Sequence, residues 1–260
     1  MELGLTGGVA LVTGASRGLG RAIALELAGE GMDVALVARS REPLEEVGRA
    51  VAARGRAALV CAADLREPSA AAACVTAVHG RFGRLDLLVN NAGATRRGDV
   101  LELGEEAWAD GFALKFYGAL RLARAAWTHL AAARGTIVNI AGVGGRTGSA
   151  EFAVGGAVNA ALMLLTKALA ERGIADGVRV NAVNPGSIAT DRLAARISRH
   201  AAAHGLTPPE AEQAMLRRHA IARFGRHEEI GALVAMMASR RVEFLAGAII
   251  DIDGGQTRTL

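Results

Sequence analysis

Groups suited to moving a proton are scarce in this chain. It holds one tyrosine, Tyr117, and of its 30 lysine and arginine residues only Lys115 and Lys167 are lysines. A lysine ammonium is a compact donor whose pKa falls on burial, whereas a guanidinium stays charged. Lys115 is therefore not interchangeable with the arginines around it. Partly buried, it could act as a proton donor or an electrostatic clamp; snorkelling from an amphipathic helix, it would only reach solvent. Tyr117 follows two residues later, roughly 200° around a helix, so the two side chains cannot face one cleft.

A second group of residues suits a dinucleotide. Thr13-Gly14-Ala15-Ser16-Arg17-Gly18-Leu19-Gly20 follows an apolar run and opens a helical pattern. Gly14, Gly18 and Gly20 let the backbone turn tightly against a pyrophosphate, and the free N–H groups of a helix start attract it. Ser16, Arg17 and Leu19 complete the turn. The next apolar run ends Ala38-Arg39-Ser40. An acidic residue there would grip the ribose hydroxyls of NAD. Ala38 provides none, and Arg39 with Arg17 can pair with a 2′-phosphate, which favours NADP(H). Asp64 and Leu65 follow the third run and could bracket the adenine. Asn90-Asn91-Ala92-Gly93 ends the fourth, with small residues at Ala92 and Gly93 where backbone must approach a ligand.

These segments need a scaffold that delivers them to one edge. Apolar runs at residues 9–13, 34–38, 57–61, 85–90, 136–140, 178–183 and 248–251 alternate with helical patterns near 18–30, 42–54, 67–82, 105–133, 152–172 and 227–239. The runs lack clean alternation, as expected of parallel strands covered on both faces. The pattern predicts an α/β fold: one doubly wound parallel sheet of about seven strands with helices on both faces. No linker, repeat or low-complexity stretch divides residues 1–260, which read as one domain. Residues 190–226 break the rhythm with weak helical patterns, Pro208-Pro209 and many basic residues. An insertion there lies at the carboxyl ends of the strands, so it reads as a substrate lid favouring an anionic substrate, or as a solvated helical pair at a subunit contact.

Composition excludes other classes. Hydrophobic residues make up 51% but aromatics only 3%, so small aliphatic side chains must pack the core. Scattered charge, net +4, gives no basic stripe interleaved with aromatics, and nucleic-acid binding is not expected. No apolar run reaches ~18 residues, and no membrane span or secretory leader is indicated. Cys61 and Cys74 have neither metal spacing nor a disulfide framework, so no metal is expected and a reducing cytoplasm is.

With TGASRGLG, NNAG, Asn184-Pro185-Gly186-Ser187-Ile188-Ala189-Thr190 and Asp253-Gly254-Gly255 in this order, nearly the whole chain resembles the short-chain dehydrogenase/reductase family. The resemblance implies a Rossmann-type domain and a cytoplasmic NADP(H)-dependent oxidoreductase, similar to 3-oxoacyl-carrier-protein reductases. Such an enzyme would interconvert a carbonyl and a secondary alcohol of a small molecule. Pro185, Gly186, Ile188 and Thr190 would hold the nicotinamide, and a homotetramer, or else a dimer, would form through the long helices and the terminal segment.

The family's proton chemistry uses a serine, a tyrosine, a lysine four residues later and an asparagine. In this chain those positions fall at Gly142, Gly155, Asn159 and Lys115. All four differ, and Phe152, one turn before Gly155, has no hydroxyl. Lysine stands in the asparagine position and asparagine in the lysine position. In the family fold these positions adjoin, so one ammonium and one amide would occupy the same small volume, making Lys115 and Asn159 the candidate catalytic pair. Two other readings stay open: an NADP(H)-binding protein without turnover, and a non-redox lyase or isomerase built on Lys115. Lys167 reads as structural or exposed, and His129 as a helix-terminal cation. Thr147, Ser149 and Glu151 read as polar loop residues that could reach a substrate.

Overall fold

The protein is described here by a computed structural model covering residues 2–258. Seven strands form one parallel sheet: β1 (Val9–Thr13), β2 (Asp33–Ala38), β3 (Ala58–Ala62), β4 (Leu87–Asn90), β5 (Thr136–Ile140), β6 (Arg179–Pro185) and β7 (Ile249–Ile252), in the order β3-β2-β1-β4-β5-β6-β7. Every residue of β1, β4, β5 and β6 is buried, because helices cover both faces. β6 runs further than its apolar pattern suggests, since Pro185 still pairs with Ile252 of the last strand.

On one face pack α1 (Gly18–Gly29), α2 (Arg41–Ala52) and α9 (His227–Ala238), with Ile23, Leu27, Leu44, Ile230 and Val234 fully enclosed. The other face carries α3 (Ala70–Phe82), α5 (Gly118–Ala133) and α6 (Ala153–Asp176), through Val78, Leu122, Leu130 and Ala170. Both cores consist mainly of Leu, Val, Ile and Ala, with Met32, Met237 and Cys74 among them, as an aromatic-poor composition requires. By length and composition α6 could cross a bilayer. One side of it lies on the sheet, where Val154, Val158 and Leu162 are fully buried. Its other side leaves Leu164 72% and Ile174 79% exposed.

The order reverses between β1 and β4, so the loops after these neighbouring strands diverge and open a crevice at their carboxyl ends. Two local features differ from the sequence pattern. The expected helix over 105–133 is α4 (Glu105–Gly111) and α5, joined by a π-helical turn, Phe112–Tyr117, that contains Lys115. The extra residue in that turn breaks the 3.6-residue register, and such turns gather at functional sites. The helix expected from residue 67 starts at Ala70, because Asp64 first closes a turn by accepting from the Arg66 N–H.

Residues 190–226 form a hairpin of two helices, α7 (Asp191–His204) and α8 (Pro208–His219). Thr190 caps α7 by accepting from the Leu193 N–H, and Thr207 with Glu210 forms a capping box on α8. The excursion closes where it starts: Ile188 bridges Gly225, and the Ala189 N–H donates to the Gly225 carbonyl.

Candidate active site

The crevice is built by two loops that lock each other. Thr13, buried at the end of β1, accepts the N–H groups of Asn91 and Ala92 on its hydroxyl, each at 2.9 Å. The Asn91 amide donates back to the Thr13 carbonyl at 2.9 Å. Gly14 and Gly20 sit where a methyl would collide: a Cβ on Gly20 would lie 2.2 Å from the Gly14 carbonyl oxygen, and one on Gly14 2.9 Å from the Asn91 amide. This cradle of close backbone fits a pyrophosphate and tolerates no side chain.

Arg17 and Arg39 are exposed beside it, and among the described residues neither lies near enough to a carboxylate to form an ion pair. With Ala38 at the end of β2 in place of an acid, these groups fit a 2′-phosphate. Ser40 precedes α2 and stays exposed. Asp64 is partly engaged, accepting from Arg66, whose guanidinium also grips Asp110. Leu65 is buried beneath Gly118. Leu19 leans on the core through its side chain, so its backbone alone faces the crevice turn.

At the far end of the crevice Lys115 and Asn159 meet. Lys115 Nζ donates to Asn159 Oδ1 at 2.6 Å and to the Ala141 carbonyl at 2.7 Å. The lysine stem runs across Gly93, whose hydrogen leaves room for it: a Cβ there would stand 3.0 Å from Lys115 Cδ. Part of the residue remains accessible, yet the ammonium lies deep enough that its pKa is lowered to about 7, first by burial and then by the Arg192 charge. The two oxygen acceptors act in the opposite sense, favouring the charged form. Lys115 thus stands poised between ammonium and amine near neutrality. Tyr117 points the other way, exposed, with Arg121 against its ring.

Two glycines and a phenyl ring shape the wall beside this pair. Gly142 follows β5, its N–H donating to Asn184 Oδ1 at 3.1 Å. A Cβ on Gly142 would lie 3.0 Å from the Asn159 amide nitrogen. The Phe152 ring packs tightly over Gly155 and Gly144: its carbons stand 2.2 Å from where a Cβ on Gly155 would be, and 2.8 Å from one on Gly144. Arg97 covers that ring, 4.2 Å from its centroid. The bare backbone of this loop is what lets the ring, the loop and α6 come so close.

On the other side of the crevice Gly186 abuts Asp253, where a Cβ would overlap at 2.5 Å. Asp253 in turn accepts the N–H groups of Gly255 and Thr257, which folds the terminal segment back against the Pro185–Gly186 turn. Ile188 is buried in the bridge to Gly225, and Thr190 is the α7 cap. Thr147, Ser149 and Glu151 are exposed. Lys167 is exposed beside a shallow surface groove. His129 lies outside the last turn of α5, not at the helix end as its place in the sequence suggested, and its ring stacks on His79 of α3 at 4.3 Å. No cluster of His, Cys, Asp or Glu suited to a metal occurs among the described residues.

Several contributors were not singled out from the sequence. The Ala141 carbonyl is backbone and leaves no residue signature. Asn184, Asp251 and Arg146 form a connected group that holds the loop after β5, with Asn184 Nδ2 2.8 Å from Asp251 and Arg146 Nε 3.0 Å from it. Arg192 was visible only as one of many basic residues in the 190–226 stretch, and its hydrogen bond to the Gly93 carbonyl brings it over Lys115.

Residues 14–257 match the family model described as Enoyl-(Acyl carrier protein) reductase. The chain is 35% identical to the 3-oxoacyl-[acyl-carrier-protein] reductase FabG of Staphylococcus aureus, over 95% of this chain and 96% of that one. It is also 35% identical to cis-4-hydroxycyclohexanecarboxylate dehydrogenase of Sinomonas cyclohexanicum, over 96% of each. Among solved structures, it superposes on L-sorbose reductase from Gluconobacter frateurii complexed with NADPH and L-sorbose, with a TM-score of 0.96, 33% identity and both chains covered in full.

Proposed function

The chain belongs to the short-chain dehydrogenase/reductase family of oxidoreductases, and from that premise we propose that it uses NADP(H) to interconvert a carbonyl and a secondary alcohol, with Lys115 in place of the family's tyrosine. The observation that carries this reading is the Lys115 ammonium held between Asn159 Oδ1 and the Ala141 carbonyl at the end of the crevice. The dinucleotide, when bound, supplies or accepts the hydride. The chain's own residues do the rest. The Gly14–Gly20 turn would cradle the pyrophosphate, and Arg17 with Arg39 would neutralise the 2′-phosphate. As the ammonium, Lys115 gives a proton to the carbonyl oxygen as negative charge develops there; as the amine, it takes one from the alcohol in reverse. Asn159 aims the ammonium. The Phe152 ring helps to keep water from it.

A second reading, NADP(H) binding without turnover, draws support from the same ring, because Phe152 packs over Gly155, where the family's tyrosine would stand. One experiment separates the two: titration of NADPH by fluorescence, followed by a carbonyl screen for NADPH oxidation with wild type and Lys115→Ala. The main reading predicts turnover that falls roughly 10²–10⁴-fold in Lys115→Ala. Tight binding with no turnover on any carbonyl would favour the second reading. Turnover indifferent to the substitution would remove Lys115 from the chemistry.

The apolar outer side of α6, with Leu164 and Ile174 exposed, supports a homo-oligomer, a tetramer or else a dimer. A cytoplasmic setting accords with Cys61 and Cys74 standing as free thiols.

A further inference from the structure

The mouth of the crevice concentrates positive charge that the chain does not neutralise. Arg97 stands in the loop after β4, Arg192, Arg196 and Arg199 on α7, and Arg218 on α8. Among the described residues none of the five has a carboxylate within 4.0 Å. Elsewhere Arg66 pairs with Asp110 and Arg146 with Asp251, and the buried Arg179 is satisfied by the Met237 and Ala238 carbonyls.

The five converge. Arg97 lies close enough to Arg192 and Arg199 for their charges to oppose its own, and Arg196 feels Arg97, Arg199 and Arg218 in the same way. Glu151 lies near enough to Arg97 to offset part of this field, whereas the charges that act on Arg196 are those of arginines. Arg196 spends one nitrogen on Ser187 Oγ at 3.3 Å, while its buried Nε has no partner among the described residues. Like charges gathered with an unsatisfied donor are costly unless something completes them. The group also borders the reacting end: Arg192 contacts the carbonyl of Gly93, the residue that the Lys115 stem crosses, and Arg97 covers Phe152.

We propose that Arg97, Arg192 and Arg196 form a subsite for a carboxylate or phosphate on the substrate, beside Lys115. The substrate class is then a small oxo or hydroxy compound bearing an anionic group, held by the lid while its carbonyl meets the ammonium. This rests on the reading of the crevice as a reductase site. Planar guanidinium groups suit such oxyanions because they can bind two oxygens at once.

The test is binding to the NADP⁺-saturated full chain by calorimetry, with malonate and inorganic phosphate as probes and dimethyl malonate as the neutral control. At least one anion is expected to bind and the neutral ester not to bind, and the two anions separate a carboxylate from a phosphate preference. Arg196→Ala should weaken that anion about tenfold or more while NADP⁺ affinity stays within about twofold. Arg97→Ala should act alike, and it replaces Arg196→Ala if that variant melts early. Binding of neither anion, or equal binding by both variants, would overturn the proposal. So would a loss of NADP⁺ affinity with anion affinity intact, which would assign these arginines to the cofactor. The readout is independent of turnover, so a protein inert on every ketone would undo the reductase reading and leave the anion result standing. If NADP⁺ itself fails to bind, the same titration on the free chain still reads the cluster.

Discussion

Lys115 Nζ and Asn159 Oδ1 stand 2.6 Å apart although 44 residues separate them in sequence. One comes from a π-helical turn and the other from the buried side of α6, so two elements must pack correctly to make the contact. The pair places a single ammonium where the crevice closes, with an amide to aim it.

Burial of that ammonium has a consequence for folding. Lys115 ordinarily keeps its proton to about 10.5, but within the fold only to about 7. Between these values the unfolded chain binds more protons, so the lysine's effect on stability improves as pH rises through the window. Below about 7 both states are charged and the burial cost is full; above about 10.5 it vanishes. Thermal melting of Lys115→Met against wild type should therefore favour the variant more at pH 6 than at pH 10. An equal difference at both pH values would show that the ammonium is not buried.

Asn159→Asp puts a carboxylate 2.6 Å from the ammonium in place of an amide. An opposite charge at that range favours the protonated lysine, by roughly 1–3 pKa units. With only two lysines in the chain, side-chain ¹³C labelling resolves the titration directly, and Lys115→Met assigns the signal. The resonance should titrate near pH 7 in wild type and higher in Asn159→Asp. Unchanged titration would separate the two side chains.

Gly155 and Phe152 are expected to be strongly coupled. Gly155→Ala forces a methyl into the phenyl ring and should cost about 1–3 kcal/mol in denaturant unfolding. In a Phe152→Ala background the same change should cost close to nothing. Additive effects would place the ring elsewhere.

Cofactor preference rests on the end of β2. Ala38→Asp introduces a carboxylate that repels a 2′-phosphate and accepts from ribose hydroxyls. The ratio of NADPH to NADH affinity should fall about tenfold or more, measured by fluorescence titration. An unchanged ratio would remove Arg17 and Arg39 from phosphate recognition.

Much of this architecture is readable before folding, for identifiable reasons. Runs such as Val9–Thr13 and Thr136–Ile140 are apolar on both faces because helices cover both, and that pattern alone implies the parallel sheet. The Gly14–Gly20 turn is legible because close backbone approach leaves glycine as its mark. The meeting of Lys115 and Asn159 follows from the exchanged residue types at positions that the family resemblance brings together. The π-helical turn is different, since no local pattern in Phe112–Tyr117 separates it from an ordinary helix and only packing places the extra residue. The Ala141 acceptor is invisible for a related reason, as any residue has a carbonyl. Arg192 looked like one basic residue among several until α7 folded over Gly93.

The central claim is that Lys115 carries the proton, and the pH dependence of kcat/KM for NADPH-dependent carbonyl reduction tests it most directly. The account predicts a rate that is level at acid pH and falls through about pH 7 as the ammonium is lost, with Lys115→Met slower by roughly 10²–10⁴ and without that inflection. A Lys115→Met profile that keeps both the wild-type rate and the wild-type inflection would contradict it.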